Sequence, residues 1–135
     1  MRIIIPLIYP HYLNYCDKFE LIEFELFNQF FRDFNIFPNI VNLMQIKSIF
    51  FSLQELIANQ LNISKDNSLA PIYRKEIINN LKINFDFFMD GILLSSIHIK
   101  EIEDSSEIER IIKIIEKMSV SPGIAKSQMR SGLTL

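Results

Sequence analysis

The sequence predicts an all-α domain, and three observations predict it. Apolar residues recur at spacings of three and four along most of the chain, capping residues stand just before several of those runs, and Pro or Gly punctuates the gaps. At 135 residues one hydrophobic core is expected, since a domain of roughly 150 residues buries about 70% of its unfolded surface. Hydrophobic residues make up 49% of the chain and Phe alone supplies 12, so burial offsets chain entropy without disulfides or metals.

The chain divides into an N-terminal apolar arm over 1–16, a helical domain over 17–120 and an extended tail over 121–135. The arm begins Met1-Arg2-Ile3-Ile4-Ile5-Pro6-Leu7-Ile8, too short an apolar run to be a secretory leader, interrupted by Pro6 and followed by no cleavage site. It reads as a short strand or an arm laid on the core. The first helix is expected from Asp17, which has Glu20 at capping-box spacing, through Phe19, Ile22, Leu26, Phe27, Phe30, Phe31 and Phe34 on one stripe. Pro38 lacks an N–H and pushes Phe37 toward extended geometry, so 35–41 reads as a loop with a short extended piece.

Asn42 and Gln45 signal the next N-terminus, followed by Leu43, Ile46, Ile49, Phe50, Leu53, Leu56 and Ile57. The polar run from Leu61 to Ala70 is the longest internal connector and splits the helices into two pairs. Pro71 suits the first turn of a third helix carrying Ile72, Tyr73, Ile77, Ile78 and Leu81. Asn84 can cap a fourth, with Phe85, Phe88, Met89, Ile92 and Leu93 inward and Gly91 a weak point. Ser106 and Glu109 open a fifth, made amphipathic by Ile108, Ile111, Ile112, Ile115 and Met118. Pro122 and Gly123 end it, and the tail beyond carries no apolar stripe.

Two helix pairs, each with a short apolar piece between its helices, resemble the plan of an EF-hand pair, whose interhelical segments join as a small two-stranded ribbon. Val41, Asn42, Ile46, Ile49 and Phe50 resemble the apolar loop residue and exiting helix of one unit. Ile83, Phe85 and Phe88 resemble those of the other. With Val41 in the eighth loop position, Phe34, Ile36, Pro38, Asn39 and Gln45 fall first, third, fifth, sixth and twelfth. Neither oxygen ligands nor the glycine of a calcium loop are there. Ile83 in that place puts Glu76 first, Ile78 third, Asn80 fifth, Leu81 sixth and Phe87 twelfth, so both loops read as calcium-silent. The order of Phe30–Val41, Ile83–Phe88 and Ile115–Gly123 further resembles degenerate EF-hand-like modules of ciliary and flagellar axoneme proteins, similar in plan to the microtubule-binding module of tubulin polymerisation-promoting proteins. That resemblance implies a structural or docking role on microtubules.

Little in the sequence suggests chemistry. His11 and His98 stand in no local ligand pattern. Asp17 beside Cys16 raises a thiol pKa rather than lowering it, and three scattered glycines make no phosphate loop. Glu101, Glu103, Asp104, Glu107 and Glu109 read as a solvated turn and helix start. The Phe stripe reads as core. No cofactor, metal or small-molecule substrate is expected. The formal net charge of -2, from 14 basic and 16 acidic residues, argues against nucleic acid. No apolar run reaches the roughly 20 residues that span a bilayer.

A lone cysteine suits a reducing compartment, and the chain reads as cytosolic or cytoskeletal, with the axoneme of a cilium or flagellum implied by the resemblance. The leading reading is a non-enzymatic structural or adaptor module that binds other proteins of a cytoskeletal assembly, with tubulin among them. Its partner-binding residues are expected in the tail, where Ile124, Met129 and Leu133 would enter apolar pockets while Lys126 and Arg130 face acidic side chains. The alternative is a calmodulin-like light chain gripping an amphipathic target helix without calcium. A third class, an enzyme or lipid carrier, would need a large closed cavity with convergent polar groups.

Overall fold

The computed structural model describes residues 5–63, 68, 70–99 and 106–131. Among the described residues it is all-α, with seven helices: α1 (Ile5–Tyr12), α2 (Phe24–Asp33), α3 (Leu43–Gln60), α4 (Pro71–Asn79), α5 (Phe85–Ser96), α6 (Glu107–Ser119) and α7 (Gly123–Arg130). Several begin where the capping residues dictate. Asn42 Oδ1 accepts from Gln45 N–H at 2.8 Å while Gln45 Oε1 accepts from Asn42 N–H at 2.8 Å, so two N–H groups beyond reach of any helix carbonyl are satisfied together. Asn84 caps α5 through Phe87 N–H at 3.0 Å, and Ser106 caps α6 through Glu109 N–H at 3.3 Å. Pro71 occupies the first turn of α4, where its missing N–H has no partner to lose.

Asp17 and Glu20, by contrast, cap no helix. Asp17 Oδ1 accepts from Phe19 N–H at 2.8 Å and Leu21 N–H at 3.1 Å, and the turn closes with Glu20 at a left-handed φ of 60°. Local N–H groups have won the carboxylate from the helix. The helix waits until Phe24, and Phe19, left on the turn, is 70% exposed instead of lying on the stripe. Segment 35–41 is a turn rather than an extended piece. Ile36 and Phe37 N–H donate to Phe31 O at 2.9 and 3.1 Å, and Ile40 and Val41 N–H donate to Ile36 O at 2.8 and 3.0 Å.

Val41 is therefore not the partner of Ile83. Ile83 pairs with Ile22 in an isolated antiparallel bridge, N–H to O in both directions at 2.8 and 3.0 Å. Beyond that bridge the expected ribbon has no strand among the described residues.

Both ends depart from the sequence reading. Residues 5–12 of the arm are helix α1, which buries Ile8 and Tyr12, while residues 1–4 lie outside those described. In the tail assigned to 121–135, residues 123–130 are helix α7 rather than extended chain, and residues 132–135 lie outside those described. Tertiary contact explains the difference, because α7 lies on α1, α2 and α6. Gly123 permits the approach: a Cβ there would stand 2.3 Å from the Phe34 ring.

The core is aromatic. Tyr12, Phe27, Phe30, Phe31 and Phe88 are all fully buried, and each buried Phe contributes up to about 3 kcal/mol. Phe30 meets Phe88 edge to face at 4.8 Å, joining α2 to α5, and stacks on Phe34 at 4.4 Å. Gly91 is a close approach in this core, since a Cβ there would reach within 3.1 Å of the Phe27 ring. Buried Gln54 donates from Nε2 to Asn79 O at 3.0 Å and Leu81 O at 2.9 Å, which fixes the turn after α4 against α3.

Candidate functional site

Two clefts among the described residues are lined largely by apolar side chains. The first is built by α4 and the adjoining side of α3. Helix α4 buries none of its residues and leaves Ile72 72% and Tyr73 60% exposed. Beside them, Phe51 and Leu56 of α3 are also exposed, and an open cleft of about 270 Å³ runs between the helices, lined by Phe51, Glu55, Pro71, Arg74, Lys75 and Ile78. The Gln54 bonds hold the end of α4 in place, so this face is presented on a fixed frame rather than on a free loop.

The second surface is a groove of about 190 Å³ where α1, α6 and α7 meet, lined by Leu7, Ile8, His11, Phe34, Ile115, Met118, Ser119 and Ile124. Of the four described residues among the five expected to bind a partner, Ile124 lines this groove. Lys126 and Met129 are exposed on α7 outside its lining. Arg130 is committed to the fold, its guanidinium over the Tyr15 ring at 4.7 Å and its Nε donating to Asn14 O at 3.3 Å. Leu133 lies outside the described residues. The sequence reads this segment as extended chain, whereas the eight-residue helix turns Ile124, Lys126, Met129 and Arg130 to different sides. The exposure of α4 is not legible in the spacing of its apolar residues.

Polar groups in the interior brace helices. Ser127 on α7, fully buried, has Oγ 2.9 Å from His11 Nδ1 and accepts from Asn14 Nδ2 at 2.9 Å. A Ser–His contact invites comparison with a hydrolase pair, but this hydroxyl faces no solvent and its oxygen already receives the Asn14 amide, so it joins α7 to α1. Tyr15 donates to Asp33 Oδ2 at 2.5 Å and Gln29 donates to Asp33 Oδ1 at 2.7 Å. Burial, reinforced by that carboxylate, keeps the Tyr15 phenol protonated far beyond its usual range. His98 meets Gln45 Nε2 at 3.2 Å.

Cys16 is held as a thiol. Burial raises its pKa first, with Glu20 and Asp17 adding to the effect, whereas a reactive cysteine needs the opposite environment. Among the described residues no three His, Cys, Asp or Glu side chains gather as metal ligands would, and no helix is long and apolar enough to cross a membrane. Compared with known proteins, the chain matches no family model, no curated protein and no solved structure.

Proposed function

We propose that the chain is a non-enzymatic structural or adaptor module that docks other proteins of a cytoskeletal assembly, a ciliary or flagellar microtubule assembly in its narrower form, with tubulin among the partners. The observation that carries this reading is α4. A surface helix ordinarily buries one apolar stripe and turns polar residues to water, yet α4 buries none and offers Ile72, Tyr73 and Ile77 outward. Grouped apolar exposure of this kind marks a face that a partner covers.

The narrower reading takes the framework as a degenerate EF-hand-like pair, and three features support it. Ile22 and Ile83 exchange both backbone hydrogen bonds. Each stands two residues before a helix start, at Phe24 and Phe85. Glu20, two residues before the bridge, has the φ of 60° that a sharp loop turn requires. With Ile22 in the eighth loop position, Tyr15 falls first, Asp17 third, Phe19 fifth, Glu20 sixth and Leu26 twelfth. Asp17 and the sixth-position Glu20 are the only carboxylates at those places, and Asp17 is taken by Lys82 Nζ at 2.9 Å, which also holds its carboxyl below the usual range. Calcium titrated into the full chain is expected to give no binding heat at sensor concentrations. A dissociation constant of about 10⁻⁷ to 10⁻⁵ M would overturn the calcium-silent reading.

Affinity capture from a cytoskeletal extract tests the docking role, run with the native chain and with the triple variant Ile72→Ser, Tyr73→Ser, Ile77→Ser. The native chain is expected to recover tubulin or microtubule-associated chains. Loss of these exposed contacts should weaken recovery by about tenfold or more, with helix content unchanged by circular dichroism. Equal recovery with the variant would remove α4 from the interface. Recovery of a chain whose amphipathic helix is bound between the helix pairs would favour the light-chain alternative.

A further inference from the structure

We propose that α7 is a detachable lid, latched while His11 is neutral and released when His11 takes a proton, so that mild acid uncovers the aromatic bed beneath the helix. Few contacts hold α7 down. Its buried residues are Gly123 and Ser127, so no large apolar side chain anchors it. Eight residues are also too few for a helix to persist by itself in water. Among the described residues α7 is held by the Gly123 backbone on the Phe34 ring, by Arg130 over Tyr15 at 4.7 Å and donating to Asn14 O at 3.3 Å, and by the Ser127 hydroxyl 2.9 Å from both His11 and Asn14. Elements with few buried apolar contacts open at low cost.

The bonding of that hydroxyl selects the state of His11 that closes the latch. Asn14 donates into Ser127 Oγ, and among the described residues the acceptor left for the Ser127 proton is His11 Nδ1. A neutral imidazole protonated on Nε2 accepts there, while an imidazolium carries N–H on both nitrogens, can only donate, and leaves the buried Ser127 proton no acceptor among these groups. The ring is also half-buried, where a cation loses part of its hydration.

Charged residues on the neighbouring elements do not offset this. Helix α2 brings Arg32 and Asp33, and Asp33 is engaged by Tyr15 and Gln29. Helix α6 brings Lys113, Glu116 and Lys117, and Glu116 pairs with Lys113 at 3.7 Å. Helix α7 brings Lys126 and Arg130, both cations. His11's own helix adds the phenols of Tyr9 and Tyr12. Burial alone lowers the His11 pKa, with no anion opposing it.

The closed state thus binds fewer protons than the open one. The latch is at full strength above the free imidazole value of about 6.5. It weakens as pH falls through that value, by at most tenfold per pH unit, and levels off below the closed-state pKa.

Amide hydrogen exchange on the full chain, with rates corrected for their intrinsic pH dependence, reads the opening of α7 against that of α3 and α5. Between about pH 7.5 and about pH 5.5, protection in α7 is expected to fall by up to roughly tenfold while α3 and α5 keep theirs. In His11→Asn, whose Oδ1 can accept in place of Nδ1 without titrating, the pH dependence should disappear. Ser127→Ala, which removes the hydroxyl without adding bulk, should leave α7 poorly protected at both pH values. Protection of α7 that ignores pH in the native chain, equal pH dependence in His11→Asn, or undiminished protection in Ser127→Ala overturns the proposal.

Discussion

Replacing Phe30 or Phe88 by alanine is expected to destabilise the domain by roughly 3–5 kcal/mol in each case and to lower its melting temperature by about 10–20 °C. Both rings are fully buried and meet edge to face at 4.8 Å, one carried by α2 and the other by α5. Phe30 also touches Tyr15 and Phe34, and Phe88 touches Tyr12 and Phe27. A cavity in either place would be walled by aromatic side chains from several helices, which cannot all collapse into it. The pair should couple: the double variant is expected to lose about 0.5–1.5 kcal/mol less than the two single losses added together. Chemical denaturation of the four proteins in the cycle measures both quantities. A midpoint unchanged in either single variant would move that ring out of the core.

Gly123→Ala should cost about 1–3 kcal/mol, the range for forcing a methyl group into filled space. The new Cβ would lie 2.3 Å from the Phe34 ring, which is stacked on Phe30 at 4.4 Å and stands beside His11 at 5.5 Å, so the ring has little room to yield. The loss is bounded by the attachment of α7, because the helix can lift away and leave the core of α2, α3 and α5 intact. Denaturant titration combined with amide exchange separates these outcomes. The expected result is weaker protection in α7 with the cooperative core transition retained, whereas full protection of α7 in this variant would show that Phe34 accommodates the methyl group.

The all-α class and the starts of α3, α5 and α6 were legible in the sequence because each rests on local physics. Asn42 with Gln45, Asn84 with Phe87 and Ser106 with Glu109 are contacts three residues apart, and a cap signal followed by apolar spacing of three and four needs no distant partner. The burial of Phe27, Phe30, Phe31 and Phe34 followed from the same periodicity. Asp17 shows where local reading fails. A carboxylate before an apolar run suits either a helix cap or a turn, and Lys82, 65 residues away, bonds Asp17 in the turn.

Tertiary structure alone decided the rest. Ile22 rather than Val41 pairs with Ile83 because the fold brings those two backbones together, and periodicity within either segment carries no information about its partner. Helices α1 and α7 are short and weakly patterned, and they persist through contact with each other and with α2. The Ser127–His11 bond joins residues 116 positions apart. Whether an apolar face is core or surface is likewise settled by what lies against it. The sequence made α4 apolar, and only the arrangement of its neighbours left Ile72 and Tyr73 facing water, since burial belongs to a pair of surfaces and a sequence specifies one of them at a time.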